Sequence, residues 1–192
     1  MNDFVDSITK TLDLVKENVP FVLMLLGLLL VIHIVNTLLG GRLNILGIFP
    51  RHLFGLVGIV FSPFLHADFN HLFFNAIPLF VLANLVLLEG MQIFLLVTLC
   101  VILLSGTLTW CFGRRGLHIG ASGLIMGYWS YLLTNAYSHE TGTSIVLGIV
   151  CIYYFSGFFF QIFPGKKTTS WEGHLFGALS GIAVALLLPR FM

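Results

Sequence analysis

Hydrophobic positions in this chain fall into long runs, separated by short polar or glycine-rich breaks. A helix needs about 20 mainly apolar residues to cross the hydrocarbon core of a bilayer. That measure predicts spans over Phe21–Leu39, His71–Leu88, Met91–Phe112, Ser122–Tyr137, Thr143–Phe163 and His174–Leu188. The fourth and sixth are short. Pro20 suits the first turn of the first helix, where a missing N–H costs nothing. The residues before it mix acids and bases and contain no small-residue cleavage site. Residues 1–20 therefore read as a cytoplasmic-type tail, followed by one membrane domain over residues 21–192. Only Gly90 separates spans two and three, which implies a tight antiparallel hairpin. Gly40–Asn70, by contrast, is a long first loop rich in Leu, Phe and Gly, and its segment Leu53–Leu65 is apolar but too irregular to span. Bare backbone in lipid leaves hydrogen-bonding groups unpaired, so this loop is expected to be only partly immersed.

Composition agrees with the pattern: 58% of residues are hydrophobic and 9% charged, against roughly 25% charged in a soluble domain. The chain reads as an all-α, polytopic membrane protein, and its formal net charge of +1 gives no reason to expect nucleic acid as a partner. Cys100, Cys111 and Cys151 lie in apolar segments without metal or redox spacing, so they read as small buried hydrophobes.

The candidate chemistry lies in the few polar residues of the spans. Ser122, in Gly120-Ala121-Ser122-Gly123, and His174, in Trp171-Glu172-Gly173-His174, each open a short span. A helix that begins below the membrane surface needs a hydrated cavity over its end. Its free N–H groups and positive dipole end also suit a developing oxyanion at Ser122. The plainer alternative is that Ser122 bonds to neighbouring backbone, as membrane serines commonly do. His71 and Asn75 share one helix face, with His66 five residues earlier. Polar side chains in lipid are costly unless paired, so this face marks a function or a buried network. A metal is disfavoured, because the spacing is not H-E-x-x-H and no carboxylate lies nearby in a span. Gly123-x-x-x-Gly127 and Gly173-x-x-x-Gly177-x-x-x-Gly181 permit close helix approach, which would bring His174 to Ser122, although such glycines also occur in purely structural bundles. No Lys and no central carboxylate occurs in any span, so the base for Ser122 is a histidine, with His118 as rival to His174.

The ordered set G-x-S-G (Gly120–Gly123), H-x-x-x-N (His71–Asn75) with the earlier His66, and H-x-x-G-x-x-x-G (His174, Gly177, Gly181) resembles the rhomboid family of intramembrane serine proteases from about Pro50 to Leu188. The resemblance implies a six-transmembrane-helix bundle, a Ser122–His174 catalytic dyad, and an oxyanion hole formed by the Ser122 N–H, His71 and Asn75. His66, Gly120, Gly123, Met126, Gly177 and Gly181 are supporting positions. The chain departs from the family in two places. The Trp-Arg pair common in the first loop is missing, with Gly47–Arg51 the nearest basic feature, and Met126 stands where many members carry a Tyr against the catalytic His.

On this reading no cofactor is required and the partners are transmembrane protein substrates and membrane lipid. Pro164–Gly173 is a candidate lid or an ordinary connection. The competing classes are a proteolytically silent rhomboid-like protein that binds transmembrane helices and, less favoured, a small transporter, which would need an intramembrane ionisable group for coupling. Lys10, Lys16 and Arg190 flank one side, while Arg42, Arg51, Arg114, Arg115, Lys166 and Lys167 flank the other. The positive-inside rule would put the site loops in the cytoplasm. The family topology implies the reverse, in a bacterial plasma membrane with the site opening to the extracytoplasmic side.

Overall fold

The computed structural model describes residues 2–138 and 170–187, together with 153, 157, 160, 162 and 163. The expected fifth span, Thr143–Phe163, lies outside the described residues apart from those isolated positions, as do Cys151 and most of the candidate lid.

The first helix, α1, runs Asn2–Leu38. Its 37 residues give a length of about 55 Å, well beyond the hydrocarbon core. The expected start at Pro20 is thus corrected, because Pro20 lies inside the helix. Helix formers such as Lys10, Leu12, Leu14, Lys16 and Glu17 precede it, with an Asp13–Lys16 ion pair at 2.9 Å, so the chain enters Pro20 already helical. Val22 and Leu29 are buried on the side that packs on α3, while Leu23, Met24, Leu28 and Val31 face outward.

Loop one contains a chain of short turns: 3-10 helices at Arg42–Leu46, Leu53–Leu56 and Ser62–Phe64, and one α-turn, α2, at Gly58–Phe61. Glycines let it fold on itself. A Cβ on Gly55 would lie 2.6 Å from the Phe49 nitrogen, and one on Gly58 would strike the Gly47 backbone. The loop docks on α4 where Gly106 meets Ile59, at 3.0 Å from an added Cβ to the Ile59 Cα. Its outer side exposes Leu53, Phe54, Val57, Val60 and Phe61, an apolar face suited to the membrane interface.

α3 (Phe69–Leu87) starts two residues ahead of the expected span, because Asp68 caps it by accepting the His71 N–H at 2.8 Å. α4 (Met91–Phe112) has the expected bounds. The turn between them is Leu88–Gly90 rather than Gly90 alone, with Gly90 at φ 100. α5 covers Ser122–Ser138, and α6 covers Trp171–Leu187. The last begins three residues before His174, because Ser170 Oγ accepts the Gly173 N–H at 3.3 Å. His174 is therefore the fourth residue of its helix and not the first.

α5 makes its most extensive packing with α6. Its wall is backbone on backbone: a Cβ at Gly177 would lie 3.0 Å from the Gly123 Cα, and one at Gly181 would fall on the Gly127 carbonyl. Ser130 Oγ donates to the Ala178 carbonyl at 2.8 Å across the same seam. Thr98 and Tyr128 hydroxyls meet at 2.6 Å between α4 and α5. At the far end of α5, Tyr131 and Asn135 donate to Glu89 at 2.5 and 2.9 Å. Among the described residues the result is an all-α membrane bundle. Among the described residues, three helices are long and apolar enough to span, over Ile8–Leu38, Phe69–Leu87 and Met91–Phe112.

His66, near the end of loop one, is 1% exposed, and neither ring nitrogen has a hydrogen-bond partner of normal geometry among the described residues. Burial, reinforced by the neighbouring imidazoles of His71 and His33 and opposed by the Phe64 backbone, lowers its pKa to about 4.

Two consequences can be measured. Gly181→Val should cost about 1–3 kcal/mol by overpacking and lower the detergent-state melting temperature. Gly27→Val, with nothing within 4 Å of the added Cβ, should not. For His66, the unfolded chain binds a proton below about 6.5, whereas the folded chain does so only near 4. Stability should therefore fall as the pH drops between those values. A His66→Leu variant should have a flatter melting profile from pH 7 to 4.5, and an unchanged slope would refute this role for burial.

Candidate active site

Gly120 takes φ 118, a conformation that side-chain-bearing residues rarely adopt, and its N–H donates to the Ser62 carbonyl at 2.9 Å. That turn delivers the chain to Ser122, the first residue of α5. At that position the Ser122 N–H has no intrahelical acceptor. The Ser122 side chain is half-buried.

His71 lies in the first turn of α3. The Ala67 N–H approaches its Nδ1 at 3.4 Å, which makes Nδ1 the acceptor and leaves the proton of the neutral ring on Nε2. That Nε2 faces Gly120: a Cβ there would lie 2.6 Å from it and 3.5 Å from Asn75 Nδ2. Asn75 is buried, and its Nδ2 has no partner among the described residues. Two side-chain donors thus converge beside Ser122, one of them buried and unsatisfied. Such a group is costly unless something arrives to accept its hydrogen bond. Gly120 serves both as a turn and as the empty space that lets these donors approach.

His174, 4% exposed, lies on α6 one turn above Gly177, which touches Gly123 next to Ser122. A cavity of about 740 Å³ joins these groups. His71, Asn75, Ser122, Met126, Ser170 and His174 all contribute to its wall. Of the supporting residues, His66 stands behind His71 with ring centres 5.1 Å apart, Gly123 and Gly177 form the helix contact, and Gly181 lies lower on that seam. Met126 is fully buried and lines the cavity. Residues 164–169 of the candidate lid lie outside the described residues.

The rival base is committed elsewhere. His118 Nε2 lies 2.9 Å from the Arg114 carbonyl, which can only accept, so Nε2 carries the proton. Nδ1 then accepts from the Ser170 hydroxyl at 2.6 Å. No lone pair is left for Ser122. Among the described residues, no group of three His, Cys, Asp or Glu is placed to hold a metal ion.

Several contacts escaped the sequence reading. Arg51, at φ 63, donates Nη1 to the carbonyls of Gly113 at 2.8 Å and Cys111 at 3.1 Å, and Trp110 Nε1 donates to the His52 carbonyl at 2.9 Å. Loop one is therefore anchored on the end of α4 without the missing Trp-Arg pair. Backbone bonds between Ile48 and His118, at 3.0 and 2.9 Å, join it to the segment ahead of Ser122. Glu172, buried in the first turn of α6, pairs with Arg114 at 3.3 Å. Its only sequence signal is a carboxylate two residues before His174, at the edge of a hydrophobic run.

Comparison with known proteins places this geometry in a lineage. An uncharacterized protein of Mycobacterium tuberculosis is 38% identical over 176 residues, covering 87% of this chain and 73% of the relative. One from Mycobacterium leprae is 36% identical over the same length, covering 87% and 70%. The family model described as the Rhomboid domain matches residues 53–191, which include the cavity walls and every candidate site residue. This integral membrane protein belongs to the rhomboid family.

Proposed function

We propose that the protein is an intramembrane serine endopeptidase that cleaves transmembrane protein substrates near the membrane surface through Ser122 and His174. The observation that carries this reading is one cavity onto which Ser122, His174, His71 and Asn75 all open. Ser122 Oγ attacks the scissile carbonyl carbon while neutral His174 takes the hydroxyl proton. The oxyanion is held by the Ser122 N–H, His71 Nε2–H and Asn75 Nδ2–H, donors already oriented before substrate arrives. Collapse breaks the C–N bond, and the amine leaves with the proton from His174. Water, deprotonated by the same imidazole, then attacks the acyl ester and restores the Ser122 hydroxyl. A substrate segment weak in helix propensity would enter more readily, since a helical amide is closed to attack. In this reading the protein sits in a bacterial plasma membrane with the cavity opening to the extracytoplasmic side, and the N-terminal end of α1 lies on the other side.

A serine-directed fluorophosphonate, applied to the purified protein in detergent, should label Ser122. Ser122→Ala should abolish labelling, His174→Ala should reduce it to background, and their melting curves should stay close to that of the parent. Full labelling of Ser122→Ala would end the assignment. An unlabelled parent would favour the silent, helix-binding alternative. Against a transmembrane substrate, His71→Ala or Asn75→Ala should lower kcat by about 10²- to 10³-fold and leave KM nearly unchanged, because the donors act on charge that develops only in the transition state. A raised KM with normal kcat would instead make these residues part of the docking surface.

A further inference from the structure

The segment Gly113–Ala121 joins α4 to α5, forms one wall of the cavity through Arg114–Ile119, and ends at Ser122. Gly116 and Gly120, at φ 151 and 118, give it little stiffness of its own. Two side-chain contacts tie it to the start of α6. His118 accepts from Ser170 Oγ at 2.6 Å, and Arg114 Nε lies 3.3 Å from Glu172 Oε1. Ser170 Oγ in turn accepts from the Gly173 N–H, and the Ser170 carbonyl accepts from the His174 N–H at 3.3 Å. The turn that carries His174 is thus held from the same segment that delivers Ser122.

Glu172 is the unexpected member. Its side chain is 6% exposed, one oxygen meets Arg114, and Oε2 is buried with no partner among the described residues. A half-satisfied buried carboxylate is a poor source of stability, and a well-packed neutral residue would do at least as well. Its location at the positive end of a helix eases the cost without explaining the choice. What a charged pair supplies at this point is a directional tie between two elements that small residues leave free to slide.

We propose that Glu172, acting through Arg114, is a positioning residue: it latches segment 113–121 onto the first turn of α6 and so fixes the His174 ring against Ser122. The proposal rests on the Ser122–His174 reading for its catalytic consequence, but the latch itself is a statement about structure. Below the site, the Gly123–Gly177 contact sets the helix separation. Above it, the latch sets the orientation.

The test uses the full chain in detergent, with fluorophosphonate labelling followed over reagent concentration and well below every melting temperature. Glu172→Gln should lower the maximal labelling rate constant about tenfold, a loss in keeping with sub-ångström misplacement, with the half-saturating concentration unchanged. Arg114→Gln should act in the same direction. The double variant should be no worse than the poorer single, since the two form one unit. Arg114→Lys, which keeps a charge in reach, should recover most of the rate. A lowered melting temperature with a parental rate constant would make the pair merely structural and overturn the proposal. Hydrogen exchange supplies a readout independent of activity: amides of residues 113–121 should exchange faster in Glu172→Gln than in the parent. Unchanged exchange would overturn the latch even if labelling fell. An unlabelled parent, with faster exchange in Glu172→Gln, would sink the protease reading and leave the latch standing.

Discussion

Backbone-to-backbone contact between α5 and α6 is the constraint from which the rest of the site follows. In lipid, helices gain little from the hydrophobic effect, so association relies on close packing and on hydrogen bonds that cross the interface. Gly123 against Gly177 and Gly127 against Gly181 provide the first, and Ser130 to the Ala178 carbonyl provides the second. Because Gly123 follows Ser122 and Gly177 lies one turn below His174, the seam that builds the bundle also sets the distance between Ser122 and His174. Any side chain added there would act on stability and chemistry together.

Polar groups inside the bundle divide into two populations. Several away from the cavity are satisfied: Tyr131 and Asn135 on Glu89, Thr98 with Tyr128, Ser180 on the Phe176 carbonyl. Among the described residues the unpartnered buried atoms include Asn75 Nδ2, both His66 nitrogens and His33 Nδ1, which belong to residues on and behind the donor side of Ser122. Native proteins keep few buried polar atoms unpaired, so their concentration on one side of one serine has chemical meaning. The Asn84 Oδ1 and Glu172 Oε2 atoms lie outside this grouping.

How much was legible follows from range. The hydrophobic runs, the His71–Asn75 spacing and the small-residue stripes are all legible within a few residues of sequence, and among the described residues helices cover five of the six runs. Helix ends were misjudged where a polar cap lies just outside the hydrophobic run: Asp68 starts α3 early and Ser170 starts α6 early, so hydropathy alone puts the boundary too late. Pro20 misled for the opposite reason, since a favoured first-turn residue is also tolerated within a helix that is already established. The ties of Arg51, Trp110 and His52, and of Arg114 with Glu172, join positions about 60 residues apart, and no local pattern announces them.

Those long-range ties also bear on the charge conflict. Arg51 was counted as a topological signal, but it donates to two carbonyls at the end of α4, a task that calls for the multiple donors of a guanidinium. Arg114 was counted likewise, yet it neutralises a buried carboxylate. Each residue has a structural reason to be basic on whichever side it lies, so neither is a strong witness to orientation. Lys16, on the opposite flank, pairs with Asp13 at an exposed surface, where an ion pair is worth little, and it retains its weight as a signal. Setting Arg51 and Arg114 aside leaves Arg42, Arg115, Lys166 and Lys167 against Lys10, Lys16 and Arg190, so the two flanks are close to balanced in basic charge.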